Sequence, residues 1–211
     1  MKDLLVLISQ TSGTQSDVLP DIKKLIKATT LKADYKKVKT PPEIATLLKE
    51  HRDLYKAVAV YGGDGSIIAA LKTLAGSNTL LLILPGGTAN TIAHDLSLPL
   101  DAQEIIKMYL RGTYITSNFD IALSGKRKFV LDMHTGFWTR AIANTPRGLK
   151  KRIGALAYGV SAIKQLPNAQ VSRYELTIDG RQIKTNAYMI LLANQGFQNL
   201  LGLPLFKYAH R

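Results

Sequence analysis

The sequence predicts an α/β fold in two parts: a parallel sheet flanked by helices over residues 1–115, then a mainly antiparallel, β-rich domain over residues 116–211. Three observations carry this. Short apolar runs alternate with stretches of helical period as far as residue 115, the pattern of a parallel sheet with helices on its faces. Three of those runs end in loops rich in Gly, Ser or Thr, each followed by a helix. From Thr116 the rhythm changes to paired strand-like runs joined by Ser124-Gly125 and Asp179-Gly180, both turn dipeptides.

Residues 4–8 are apolar throughout and read as a buried strand; five such residues are too few for a secretory core of about 7 to 15. A helix is expected over 17–28, a weaker strand over 35–39, and a helix over 43–51 behind Pro41 and Pro42. The strand 57–61 leads to a helix over 67–75, where Ile67, Ile68, Leu71, Leu74 and Ala75 form one stripe closed by Gly76. A strand over 80–84, a helix over 91–96 and an amphipathic helix over 102–110 complete the first part. In the second, 119–123 with 128–133, and 171–178 with 182–192, read as hairpins. Between them, over 149–166, Ile153, Leu156, Ala157, Val160 and Ile163 fall at helical spacing.

An apolar fraction of 46% in 211 residues excludes a disordered chain, and the absence of cysteine excludes thiol nucleophiles, Cys-ligated zinc and iron–sulfur clusters. No apolar run approaches the ~20 residues that span a bilayer, so a soluble, cytoplasmic protein is expected. The net charge of +13 is uneven: residues 140–211 hold 11 basic and 2 acidic side chains, residues 1–139 hold 17 and 13. Arg140, Arg147, Lys150, Lys151 and Arg152 occur in a stretch without acids, either a solvated face or a surface attractive to phosphates of nucleic acid, nucleotides or lipid headgroups. That stretch has no aromatic residue to stack on bases, and no specific nucleic-acid partner is expected.

The chemistry points to the three loops, Thr11-Ser12-Gly13-Thr14, Gly62-Gly63-Asp64-Gly65-Ser66 and Pro85-Gly86-Gly87-Thr88-Ala89-Asn90. Glycine lets backbone approach a ligand closely, and helix N-termini offer free N–H groups to anions. In a parallel sheet such loops share the carboxyl edge where ligands bind, so a polyphosphate, most simply a nucleotide, is the indicated ligand. Ser66 is expected to cap the following helix. Ile68 stands where the dinucleotide fingerprint requires its third Gly, and no Walker-type P-loop occurs. His51, His94, His134 and His210 lack metal-ligand spacing.

Together, Thr11-Ser12-Gly13, Gly62-Gly63-Asp64-Gly65-Ser66 and Leu84-Pro85-Gly86-Gly87-Thr88-Ala89-Asn90-Thr91-Ile92-Ala93 resemble the catalytic domain of the diacylglycerol kinase and sphingosine kinase family, especially its bacterial soluble lipid kinases. Phe119-Asp120-Ile121, Thr135-Gly136-Phe137 and Ile153-Gly154-Ala155-Leu156-Ala157-Tyr158 continue the resemblance. Ser9-Gln10, Thr91 and His94 depart from the family pattern. The resemblance implies a nucleotide-binding domain like that of NAD kinases, a β-rich second domain that is incomplete over 116–211, and ATP with Mg²⁺. It implies that Ser12, Gly13, Thr40, Gly62, Gly63, Asp64, Gly65, Ser66, Gly87, Thr88 and Asn90 meet ATP. Asp64 and Asp120 would be catalytic acids, with the base expected beyond Arg211 because the chain is short against the family. The implied activity is transfer of the γ-phosphate to a lipid hydroxyl, such as that of diacylglycerol, at a membrane surface met peripherally; a homodimer is compatible with it. The alternatives are a kinase for a soluble acceptor such as NAD and a catalytically inactive nucleotide-binding fragment.

Overall fold

A computed structural model describes residues 2–11, 18–137, 139–140, 144–145, 156–165, 167 and 169–194. Ser12, Gly13, residues 149–155 of the expected helix and the basic run 147–152 lie outside the described residues. The described residues form two compact units, one running through Leu131 and including Asn194, the other Asp132–Ala193.

In the first unit, β1 (Lys2–Ser9), β2 (Ala33–Val38), β3 (Tyr55–Gly62) and β4 (Leu80–Pro85) form a parallel sheet in the order β2-β1-β3-β4. Leu4, Leu5, Val6 and Leu7 are all 0% exposed, so β1 is covered on both faces. The two-residue period of a strand sorts them. Leu5 and Leu7 pack with Ile44 and Leu48 of α2 (Pro41–His51), Ile67 and Leu71 of α3 (Asp64–Leu74) and Ile92 of α4 (Thr91–Asp95). Leu4 and Val6 pack with Ile22 and Ile26 of α1 (Leu19–Lys27) and Ile105 and Ile106 of α5 (Ala102–Arg111). The strand order reverses between β1 and β3, a switch point that opens a crevice at the carboxyl edge.

Helix starts follow local chemistry. Thr40, extended at φ −135°, caps α2: its Oγ1 accepts from Glu43 N at 3.4 Å, while Glu43 Oε2 accepts from Lys39 N at 2.6 Å. Asp101 Oδ1 likewise accepts from Gln103 N at 2.8 Å to cap α5. Helix α3 begins three residues before its apolar stripe, with Gly63 at the cap position. Ser66 therefore lies inside the first turn and does not cap the helix. Periodicity registers only the buried stripe, and that stripe starts at Ile67.

At the amino edge of the sheet, Asp34 Oδ2 accepts from Lys2 Nζ at 2.6 Å and from the Tyr55 hydroxyl at 2.5 Å. Asp3 accepts from Lys56 Nζ at 2.9 Å and Lys32 N at 3.0 Å. These bonds, from Lys2 then Tyr55 to Asp34 and from Lys56 then Lys32 to Asp3, hold both carboxyls below their usual range. Burial, followed by the Asp34 carboxylate, pushes the Tyr55 hydroxyl up to about 12. The depressed carboxyls contribute stability that is present above their unfolded pKa values and lost as pH falls through the folded ones. Tyr55 contributes stability that is full below its unfolded value and lost as pH rises toward its folded one. Urea midpoints followed by circular dichroism should therefore be level near neutrality and fall below about pH 4 and above about pH 10. Asp34→Asn should flatten part of both limbs; unchanged limbs would remove the cluster from the pH response.

A short hairpin, β5 (Ala122–Ser124) with β6 (Arg127–Phe129), closes the first unit. It is shorter than expected: Phe119 and Ile121 are partly buried against the first core cluster and precede the ladder. In the second unit, β8 (Ser172–Ile178) and β9 (Arg181–Ala187) form a hairpin, and β7 (Asp132–Gly136) pairs antiparallel with β10 (Met189–Ala193). Helix α6 (Leu156–Gln165) lies between β7 and β8 in the chain. Asp179 and Gly180 take φ of 50° and 77°, the two positive values that a tight two-residue hairpin loop requires. The expected single strand over 182–192 is two strands broken at Tyr188, whose carbonyl accepts from Phe137 N at 2.9 Å. Gly136, at φ 85°, packs on Tyr188 and Met189 where a side chain would collide, so the chain changes partner there. A parallel four-stranded sheet followed by antiparallel pairs is the α/β arrangement that the sequence predicts.

Candidate functional site

The carboxyl ends of β3 and β4 bring two glycine loops into direct contact. Gly86 N donates to Gly62 O at 3.0 Å, extending the ladder past Pro85. A Cβ on Gly87 would lie 2.5 Å from Gly63 Cα, and one on Gly62 would lie 2.6 Å from Ser66 Cβ and 3.3 Å from Ser9 Cβ. These glycines allow backbone to lie on backbone, and Ser66 and Ser9 are buried beneath them.

Two side chains lock the contact. Asn90, at φ 46°, accepts from Gly87 N through Oδ1 at 2.8 Å and donates from Nδ2 to Gly87 O at 2.9 Å. Asp64, in the first turn of α3, accepts from Ile92 N in α4 through Oδ1 at 3.2 Å. The negative side chain suits that position, since a helix N-terminus carries partial positive charge. Gly65 and Thr88 are exposed at this edge of the sheet.

The neighbouring loops meet at the same edge. Gln10 N donates to Val38 O at 2.8 Å, and Thr11 Oγ1 donates to Lys39 O at 3.0 Å, next to Thr40. Among the described residues the structure thus gathers Thr40, Gly62, Gly63, Asp64, Gly65, Ser66, Gly87, Thr88 and Asn90 on one sheet edge. Asp120 lies on the segment that leads into β5. Phe119 and Ile121 pack toward the core, the Asp120 side chain is exposed, and its carbonyl accepts from Asn194 Nδ2 at 2.9 Å.

Two features escaped the reading of the sequence. Asn194 braces the segment that holds Asp120: besides that bond, Nδ2 donates to Val130 O at 2.8 Å and its N–H donates to Leu131 O at 2.7 Å. No local pattern announces a tie across 74 residues. In the second unit, Asp132 Oδ2 lies 2.9 Å from His134 Nδ1, both side chains about four-fifths buried. Here a signal existed, because residues i and i+2 of a strand share a face.

Residues 3–121 match the family model described as the diacylglycerol kinase catalytic domain, a span that contains every candidate residue. The chain belongs to the diacylglycerol kinase catalytic-domain family. It is 30% identical over 158 residues to "Probable lipid kinase YegS" of Escherichia fergusonii, covering 72% of this chain and 52% of that protein. With "Probable lipid kinase YegS-like" of Yersinia enterocolitica it shares 32% identity over 149 residues, covering 68% and 49%. The chain spans about half the length of these curated relatives. A crystal structure of a diacylglycerol kinase from Bacillus anthracis strain Sterne superposes with a TM-score of 0.75 at 21% identity, covering 96% of this chain and 67% of that one, and so shares the fold. Among the described residues no helix is long and apolar enough to cross a bilayer.

Proposed function

We propose that this chain binds ATP at the carboxyl edge of its parallel sheet and belongs to an ATP-dependent lipid kinase that phosphorylates a hydroxyl such as that of diacylglycerol. The observation that carries the reading is the pair of interlocked glycine loops in a chain of the diacylglycerol kinase family. Helix α3 offers the N–H groups of Asp64 and Gly65 at its start, and the 86–90 loop offers Thr88 at its exposed tip; both suit anionic phosphate oxygens. The acceptor hydroxyl would attack the γ-phosphorus in line as the bond to the β-phosphate oxygen breaks, ADP leaves, and the hydroxyl proton passes to a carboxylate.

Among the described residues no cluster of three or more His, Asp or Glu could hold a metal unaided. Mg²⁺ in kinases needs only one or two carboxylates beside phosphate oxygens and waters, and Asp64 at the loops fits that donor set. Bound there, the ion would neutralise phosphate charge. Asp120, exposed on its braced segment, is the second proposed acid.

A lipid acceptor places the working protein at a membrane surface. The test is titration of the chain with MgATP by calorimetry, paired with transfer of labelled γ-phosphate to diacylglycerol in mixed micelles. Saturable binding and labelled lipid are expected, and efficient transfer to a soluble acceptor with none to any lipid would reject the reading. A second reading, binding without turnover, draws on the second unit, whose described strands pair only two by two and leave Ile178 and Ile183 exposed. MgATP binding without transfer to any acceptor would favour it.

A further inference from the structure

We propose that Asn90 is a positioning residue that acts through Gly87 and thereby holds Thr88 and Ala89 at the tip of this loop, where the nucleotide reading puts phosphate. The inference rests on the nucleotide reading above and refines it. Gly87 has one donor and one carbonyl, and Asn90 engages both, at 2.8 Å and 2.9 Å. An N–H already donated to an amide oxygen within the loop is not free for a phosphate, so Gly87 is assigned no direct contact. What Gly87 supplies is proximity: hydrogen in place of Cβ lets it rest on Gly63, the cap residue of α3. The clamp thereby fixes the tip of one loop against the helix start of the other. Thr88 and Ala89, between the clamped ends, are both exposed.

The left-handed backbone of Asn90 suggests a clean variant. Asn90→Gly keeps φ 46° accessible without strain and deletes only the side-chain clamp. Amide hydrogen exchange at Gly87 is expected to accelerate about tenfold or more in Asn90→Gly, as the loss of a bonded acceptor implies. The dissociation constant for MgATP should rise by about tenfold while that for adenosine, which has no phosphate, moves less than about twofold. Thr88→Val should likewise weaken MgATP selectively, without altering exchange at Gly87. Unchanged exchange at Gly87 in Asn90→Gly, or equal weakening of MgATP and adenosine, would overturn the inference. A wild-type chain that binds no MgATP would reject the nucleotide reading itself, whereas wild-type binding with unaltered affinity in Asn90→Gly would reject this inference alone.

Discussion

Gly87→Ala is expected to lower MgATP affinity by roughly 10- to 100-fold, the change that a loss of about 1.4 to 2.8 kcal/mol of binding free energy produces. The new methyl would lie 2.5 Å from Gly63 Cα and 3.0 Å from Asn90 Oδ1, where unstrained carbon contacts need about 3.5 to 4.0 Å. Backbone stands on the other side of the contact, so no side chain can swing away to make room. The two loops must separate, and the N–H and hydroxyl groups proposed to meet phosphate separate with them. Overpacking should also cost about 1–3 kcal/mol of stability. A core truncation far along α3 provides the contrast. Leu74→Ala should cost about 2–5 kcal/mol yet leave the MgATP dissociation constant of the folded protein unaltered. Calorimetric titration beside urea unfolding separates the two effects, and Gly87→Ala binding within threefold of wild type would show that the loops need not touch.

That contact also marks how far the sequence alone could lead. Strands β1, β3 and β4 were legible because a strand buried on both faces must be apolar at consecutive positions, and they end in Ser9, Gly62 and Pro85, the last followed by Gly86, where the chain turns. The Asp179-Gly180 turn was legible because few residue pairs accept two positive φ angles. The start of α3 was not, since Asp64, Gly65 and Ser66 belong to a first turn fixed by backbone and by the loop above it, which leaves no apolar mark. The break between β9 and β10 was hidden for a related reason: strand character continues through it, and the partner that redirects the chain is Gly136, some fifty positions earlier. For the site, residue types pointed to the carboxyl edge, where the structure gathers the two glycine loops, but whether a side chain faces a ligand or its own backbone is decided by contacts between loops. Asn90 and Thr40 illustrate this, each with its side chain engaged in a cap or clamp.

Asp64 presents the same division within one carboxylate, and its two substitutions should separate the parts. Oδ1 accepts from Ile92 N at 3.2 Å, which needs an acceptor oxygen and no charge. Holding Mg²⁺ beside phosphates needs the charge. Asp64→Asn preserves an oxygen for Ile92 while removing the charge, and Asp64→Ala removes both. Stability should accordingly fall by about 1–2 kcal/mol in Asp64→Ala, from the lost tie and the lost interaction with the N-terminus of α3, and by less than about 1 kcal/mol in Asp64→Asn. Exchange at the Ile92 amide should accelerate only in the alanine variant. Nucleotide binding should divide the other way. Wild type is expected to bind ATP more tightly with Mg²⁺ than in EDTA, because a carboxylate facing bare phosphates repels them and one facing a phosphate-bound cation attracts it. Both variants lose that repulsion and that attraction together, so each should bind ATP nearly alike with and without Mg²⁺. Full retention of the Mg²⁺ enhancement by Asp64→Asn would confine Asp64 to holding α4 and would move the metal's carboxylate elsewhere in the protein.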